Sequence, residues 1–162
     1  MKNRFLALVF ITIALVSPAF AQSGQKTTLL GSYYNIKNAL INADGSAASS
    51  NAVSFSEILN GTDFKSMPQT DSKTITAIRQ QLAADAKSII ETKDIERQRE
   101  YLASLSANLY KLAKVVKLTD QTIYFTYCPM KKSYWLSENA AIKNPYFGAQ
   151  MLTCGSVKEV LK

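Results

Sequence analysis

The 162-residue sequence predicts a mainly α fold, an up-down bundle of about four helices followed by an irregular C-terminal segment. Apolar residues recur at spacings of three and four in four stretches, and turn residues separate these stretches. Beyond Asp120 the chain changes to β-branched and aromatic residues. Because amphipathic helices joined by short loops bury their apolar faces against one another, a bundle is the expected arrangement.

The first two helices are predicted from apolar spacing and from glycine-containing stop signals. We expect the first helix to begin at Leu29 and to end at Asp44-Gly45, with the glycine as a left-handed cap. Its apolar face comprises Leu29, Tyr33, Ile36, Leu40 and Ala43. A second, weaker helix is expected from about Ala47 to Leu59, and Asn60-Gly61 follows it as the stop signal.

The third and fourth helices carry longer apolar stripes. Thr70 or Asp71 can cap the third helix and Asp94 the fourth, because a short side-chain oxygen accepts hydrogen bonds from the first-turn N–H groups. The third stripe is Ile75, Ile78, Leu82, Ala86 and Ile89. The fourth is Ile95, Gln98, Leu102, Leu105, Leu109, Leu112 and Val116. Only Gln98 interrupts this seam, so both stripes indicate helices that pack on neighbours.

The C-terminal part is predicted to hold one short strand and one short closing helix. Residues 122–128 are mainly β-branched and aromatic, and Ile123, Phe125 and Tyr127 alternate with Thr122, Tyr124 and Thr126, which is typical of a strand. Pro129, Asn144-Pro145 and Gly148 indicate irregular structure after it. A short helix is expected over Ser156 to Leu161.

The N-terminus has the features of a secretory signal peptide over residues 1–21. Lys2 and Arg4 precede an apolar run from Phe5 to Val16, and Ala19-Phe20-Ala21 forms a cleavage site. The run is shorter than the roughly 20 residues of a transmembrane helix, so we expect no stable membrane insertion after cleavage. Residues 22–28 are then a flexible N-terminus and 29–162 a single domain, which we expect in the periplasm.

Composition limits the function classes. The formal charge is +7 but is spread along the chain, so no basic patch indicates nucleic-acid binding. The chain contains no histidine, which excludes a Ser-His-Asp triad, a Cys-His nucleophile and the usual His-rich zinc and copper sites. The two cysteines are far apart in sequence and form no C-x-x-C motif, so we do not expect an enzyme.

Two cysteines and two methionines form the candidate site. Cys128 is followed two residues later by Met130, and Met151 precedes Cys154 by three. Thiolates and thioethers are soft donors that select Cu(I) or Ag(I) over hard ions. Residues at i and i+2 of an extended strand share a face, and residues three apart share one in a helical turn. The two Cys–Met pairs could therefore converge on one soft metal.

A disulfide between Cys128 and Cys154 is the alternative. Two cysteines in an exported domain are ordinarily bonded to each other. The bond would close a loop of about 27 residues and stabilise the protein by roughly 3–4 kcal/mol in the chain-entropy model. The chain would then be a disulfide-stabilised interaction module of the cell envelope that binds no metal. The residues leave both interpretations open.

Several short motifs also carry a resemblance to a known family. CPM, YWLS, NPYFG and MLTCG occur in this order after KDIERQREYLASLS, and together they resemble the bacterial domain-of-unknown-function 3347 family from Leu29 to Lys158. Its members occur as small exported proteins and as appendages of periplasmic adaptor subunits in heavy-metal efflux pumps. The resemblance implies a helical-bundle domain linked to copper or silver handling, with an efflux adaptor or another envelope protein as partner. The Cys and Met of CPM and MLTCG fall on Cys128, Met130, Met151 and Cys154.

Overall fold

The computed structural model describes residues 28–64 and 72–162, which form four helices and a small antiparallel sheet. The helices are α1 Leu29–Ile41, α2 Gly45–Gly61, α3 Ser72–Glu91 and α4 Ile95–Val115. The mainly helical class is therefore confirmed. The predicted signal peptide and the predicted caps Thr70 and Asp71 lie outside the described residues, as does the flexible N-terminus except for Thr28.

The predicted face of α1 is buried except for Ala43, which is exposed and lies after the helix, and the predicted end of the helix is wrong. Leu29, Tyr33, Ile36 and Leu40 are all buried. The left-handed residue after α1 is Ala43, at φ 55°, not Gly45. Gly45 instead begins α2, because the Asp44 carboxylate accepts a hydrogen bond from the Ala47 N–H at 2.8 Å and so caps that helix.

The apolar stripes of α3 and α4 are confirmed. Every residue of the α3 stripe is buried, and so is the α4 stripe except Ile95, which is partly buried. Asp94 caps α4 as predicted, accepting from the N–H groups of Glu96 and Arg97 at 2.9 and 3.4 Å. These stripes join the other helices in one apolar core that extends to the sheet.

Gln98, the polar residue in the α4 stripe, joins three elements. Its amide nitrogen lies 2.9 Å from the carbonyl of Gly45 at the start of α2, and 2.9 Å from the carbonyl of Thr92 just after α3. The last carbonyls of a helix have no hydrogen-bond donor within the helix. The buried Gln98 amide supplies such a donor where α3 ends. The interruption of the seam is therefore a polar contact that fixes the α3–α4 turn against α2.

A three-stranded antiparallel sheet follows the helices. The strands are β1 Ile123–Cys128, β2 Ser133–Ser137 and β3 Ser156–Leu161, in the order β2-β1-β3. The strand prediction for β1 is confirmed, but the prediction of a single strand is wrong, because β2 forms in the part expected to be irregular and pairs with β1. The closing helix predicted over Ser156 to Leu161 is also wrong. That segment pairs with β1, and its valines, Val157 and Val160, suit an extended backbone. Between β2 and β3 the chain is irregular except for a short 3-10 turn at Gly148–Met151.

Buried polar side chains join the sheet region to the helices. The Tyr33 hydroxyl lies 2.7 Å from the Ser106 hydroxyl of α4 and accepts from the Leu136 N–H of β2 at 3.1 Å. Arg99 of α4 donates to the carbonyls of Leu40 and Pro145 at 3.2 and 3.0 Å. Arg99 lies among charged residues at the start of α4 but is only 7% exposed. It therefore links α4 and α1 to the irregular segment.

An ion pair connects α1 to the end of β2. The Lys37 ammonium is buried and lies 2.6 Å from the carboxylate of the half-exposed Glu138. Burial lowers the pKa of Lys37, while the hydrogen bond and charge of Glu138 oppose that shift. Desolvation also acts to raise the pKa of Glu138, but hydrogen bonds and the charge of Lys37 outweigh it and the pKa is lowered. The fold thus favours the ionised form of Glu138, whereas the burial of Lys37 works against the charge of its ammonium.

No helix among the described residues is both long and apolar enough to cross a membrane.

Replacing Arg99 should loosen the irregular segment. In Arg99→Ala two buried carbonyls lose their donor, and we expect the free energy of unfolding to fall by about 2–3 kcal/mol. Trp135 is buried and is the chain's only tryptophan, so its fluorescence reports the sheet region in urea unfolding. The exposed Arg97→Ala on the same helix is the matched control and should change stability by less than about 0.5 kcal/mol. Equal stabilities for the two variants would contradict the proposed link.

The Lys37–Glu138 pair should give stability a specific acid dependence. Because the folded-state pKa of Glu138 lies below its ordinary value, its contribution is present above that value and is lost as pH falls through the folded pKa. At neutral pH Glu138→Gln should cost about 1–2 kcal/mol in urea unfolding, since the buried ammonium loses its charged partner and solvent around the partly exposed Glu138 reduces that loss. The cost should shrink in acid. Glu91→Gln, in an exposed pair with Lys87, should cost little at either pH; an equal cost would contradict this account.

Candidate functional site

Cys128 is the last residue of β1 and lies at the base of a tight hairpin. It pairs with Ser133 across residues 129–132, and the hairpin closes with Lys132 at a positive φ of 55°. Its side chain is fully buried. The backbone N–H of Lys131 donates to the Cys128 sulfur at 3.4 Å, so the turn folds back over the thiol.

Cys154 reaches the same place from the other side of β1. Tyr127 pairs with Ser156, so the chain just before β3 runs beside the end of β1. Gly155, at φ 152°, makes this approach possible. A Cβ at this position would lie 2.6 Å from the Trp135 ring and 3.0 Å from the Tyr127 carbonyl. A larger residue would therefore push Cys154 away from Cys128.

Both cysteines are free thiols, and the Asn144 amide contacts the Cys128 sulfur and the Cys154 carbonyl, so the two residues are neighbours in space. Desolvation raises the pKa of the Cys154 thiol, and so do the charge of Cys128 and a hydrogen bond between the two side chains. The backbone N–H of Met130 also reaches the Cys154 sulfur and lowers that pKa in part. The sequence left open whether the two cysteines meet, and the structure brings them together.

Asn144 positions both cysteines through one buried amide. Its side-chain nitrogen donates to the Cys128 sulfur at 3.1 Å and to the Cys154 carbonyl at 2.7 Å. Its side-chain oxygen accepts from the Tyr146 N–H at 2.8 Å. The two N–H groups and the oxygen of the amide thus all have partners, as a side chain with 0% exposure requires. Asn144 therefore fixes the irregular segment against the end of β1.

The methionines lie next to the cysteines in the backbone, with their side chains at the surface. Met130 is 63% exposed whereas Cys128 is fully buried, so the two do not share a face. The expectation that they do is wrong because the strand ends at Cys128 and Met130 lies in the turn. Met151 is 42% exposed, and its carbonyl accepts from the Cys154 N–H at 3.0 Å. Both thioethers therefore lie at the surface, on backbone that adjoins the cysteines.

The sequence did not single out Asn144. Its signal was the Asn144-Pro145 pair, which indicates a turn without showing whether the asparagine is buried. Within residues 28–64 and 72–162, no three histidine, cysteine or carboxylate side chains are grouped so as to hold a metal ion.

Comparison with known proteins yields one family match. The model of a family described as "Protein of unknown function (DUF3347)" matches residues 29–121, from the start of α1 to just before β1. Both cysteines lie beyond the matched range. No curated protein and no solved structure matches the chain.

Replacing Asn144 should destabilise the protein and separate the cysteines. Asn144→Ala leaves the Cys154 carbonyl and the Tyr146 N–H without this partner, so we expect the free energy of unfolding in urea to fall by about 2–3 kcal/mol. Asn139→Ala is the matched control, because Asn139 is exposed and its side chain accepts one hydrogen bond, from the Ala141 N–H. It should change stability by less than about 0.5 kcal/mol. Similar losses in the two variants would show that the buried amide does not organise the site.

Proposed function

This chain belongs to the DUF3347 family, whose description assigns no activity, and we propose from its own residues that it binds Cu(I) or Ag(I). The observation that supports this proposal is that the Asn144 amide donates both to the Cys128 sulfur and to the Cys154 carbonyl, which places the two cysteines next to each other. Thiolates favour soft monovalent ions, and no cluster of carboxylates or histidines among the described residues would suit a hard ion.

The surroundings of the Cys128 sulfur suit a thiolate ligand. The Lys131 backbone N–H and the Asn144 amide both donate to it. Hydrogen bonds of this kind to a ligating sulfur stabilise its negative charge and fix its orientation. We therefore assign Cys128 as the buried, preoriented ligand and Cys154 as the ligand nearer the surface.

Met130 and Met151 are the auxiliary ligands in this proposal. Both side chains are exposed on backbone that adjoins the cysteines, and an unbranched thioether can adopt several rotamers. A thioether that rotates inward completes the coordination of an ion held by two thiolates. Exposed thioethers are also suitable first contacts for an incoming soft ion.

We place this activity in the periplasm, in copper or silver homeostasis or efflux, without an enzymatic step. The signal-like residues 1–21 support export. A periplasmic efflux adaptor or another envelope protein is the proposed partner. Nucleic acid is not proposed as a partner, because the positive charge is spread along the chain.

The second candidate function is a disulfide-stabilised interaction module that binds no metal. The same contact between Cys128 and Cys154 favours it, because adjacent thiols in an oxidising compartment form a bond readily. The bond would enclose β2 and the irregular segment and hold them beside β1 and β3. In this alternative the cysteines serve stability, and function depends on a surface of the domain.

Anaerobic Cu(I) titration of the reduced protein against a competing chelator tests the metal proposal. We expect one high-affinity ion per chain in the wild type and none in Cys128→Ser/Cys154→Ser. Asn144→Ala should lower the affinity by about 10–100-fold, as the loss of a residue that orients a ligand typically does. Met130→Leu/Met151→Leu should weaken binding less, and Met67→Leu is the matched control for the loss of a methionine. If the double serine variant binds Cu(I) as tightly as the wild type, the proposal is wrong.

A further inference from the structure

We propose that Cys128 and Cys154 form a reversible thiol–disulfide switch, in which Cys154 attacks an external disulfide and Cys128 completes the internal bond. The oxidised form cannot offer two thiolates to a soft ion, so the switch would regulate the proposed metal site. Only this consequence depends on the proposed function. The exchange itself follows from the different environments of the two sulfurs.

Accessibility sets the order of the two steps. Cys154 is partly exposed and lies between exposed residues of the 3-10 turn and β3. Cys128 has no exposed surface, and the Asn144 amide and the Lys131 N–H both point at its sulfur. A small disulfide such as oxidised glutathione therefore reaches Cys154 first.

The chemistry balances with that disulfide as the oxidant. The Cys154 thiolate attacks one glutathione sulfur, so a mixed disulfide forms at Cys154 and one glutathione leaves as a thiol with the proton that Cys154 lost. The Cys128 thiolate then attacks the Cys154 sulfur, and the second glutathione leaves with the proton from Cys128. Two protein thiols are oxidised and one glutathione disulfide is reduced to two thiols.

The same contacts make the switch reversible. A thiol that reduces the internal disulfide attacks the accessible Cys154 sulfur, so Cys128 is the leaving group. The N–H groups of Lys131 and Asn144, which donate to the Cys128 sulfur at 3.4 and 3.1 Å, stabilise the negative charge of the leaving thiolate. Stabilisation of the leaving thiolate speeds its departure, so the surroundings of Cys128 favour return to the dithiol.

The fold limits what changes on oxidation. Asn144 donates to the Cys154 carbonyl as well as to the Cys128 sulfur, so it holds the two backbones together in either state. Gly155 keeps the approach of Cys154 free of a side chain. Closing the internal bond thus requires a local adjustment of the sulfurs and leaves the pairing of β1 with β3 intact.

Incubation of the reduced, folded protein with oxidised glutathione, followed by acid quench and intact mass measurement, tests this order. The wild type should lose two hydrogens without accumulating a mixed disulfide. Cys128→Ser should accumulate one glutathione at Cys154. Cys154→Ser should react at least about tenfold more slowly than Cys128→Ser, since its thiol is buried. The proposal is overturned if Cys154→Ser reacts as fast as Cys128→Ser, or if the wild type stops at the mixed disulfide.

Limited alkylation of the wild-type protein tests the same order of reaction and does not depend on whether the serine variants fold. A brief pulse of iodoacetamide on the reduced protein, followed by peptide mapping, should label Cys154 before Cys128. Equal or reversed labelling contradicts the order of attack. The two proposals can fail separately. If the thiols react in this order but the protein does not bind Cu(I), the switch is supported and only the proposed metal site is ruled out. Cu(I) binding without ordered exchange overturns the switch alone.

Discussion

The buried amide of Asn144 holds together a segment that has little regular structure of its own. Between β2 and β3 the chain has only scattered backbone hydrogen bonds, and buried side chains supply further partners for its backbone. Asn144 bonds to both cysteines, and the Arg99 guanidinium of α4 holds the carbonyl of the next residue, Pro145. The position of the thiols therefore depends on α4 through a continuous series of buried polar contacts.

This arrangement divides the chain into a scaffold and a site. The four helices bury an apolar core, and the family match covers this part of the chain. The site lies in the sheet region, where β1 supplies Cys128 and the residue pair Cys154-Gly155 approaches β1 ahead of β3. The proposed metal binding and the proposed thiol exchange both depend on a buried sulfur that accepts from N–H groups and lies beside a more accessible cysteine.

The sequence predicts the structural features that depend on local residue pattern. It does not predict those that depend on contacts between residues distant in sequence. The stripes of α3 and α4 and the Asp94 cap follow from spacing and side-chain type, and they are confirmed. β3 was mistaken for a helix because a six-residue segment has no decisive period, and only pairing with β1 defines it as a strand. Burial of Arg99 and Asn144 depends on neighbours distant in sequence, and the same holds for the contact between the two cysteines.

The central claim is that Cys128 and Cys154 form one site for a soft ion. Copper X-ray absorption spectroscopy of the reduced protein, loaded anaerobically with Cu(I), tests it most directly. The account predicts sulfur neighbours around copper that include both thiolates, with one sulfur fewer in Cys154→Ser. Copper surrounded only by nitrogen or oxygen, or a spectrum that is unchanged when both cysteines are replaced by serine, would contradict it.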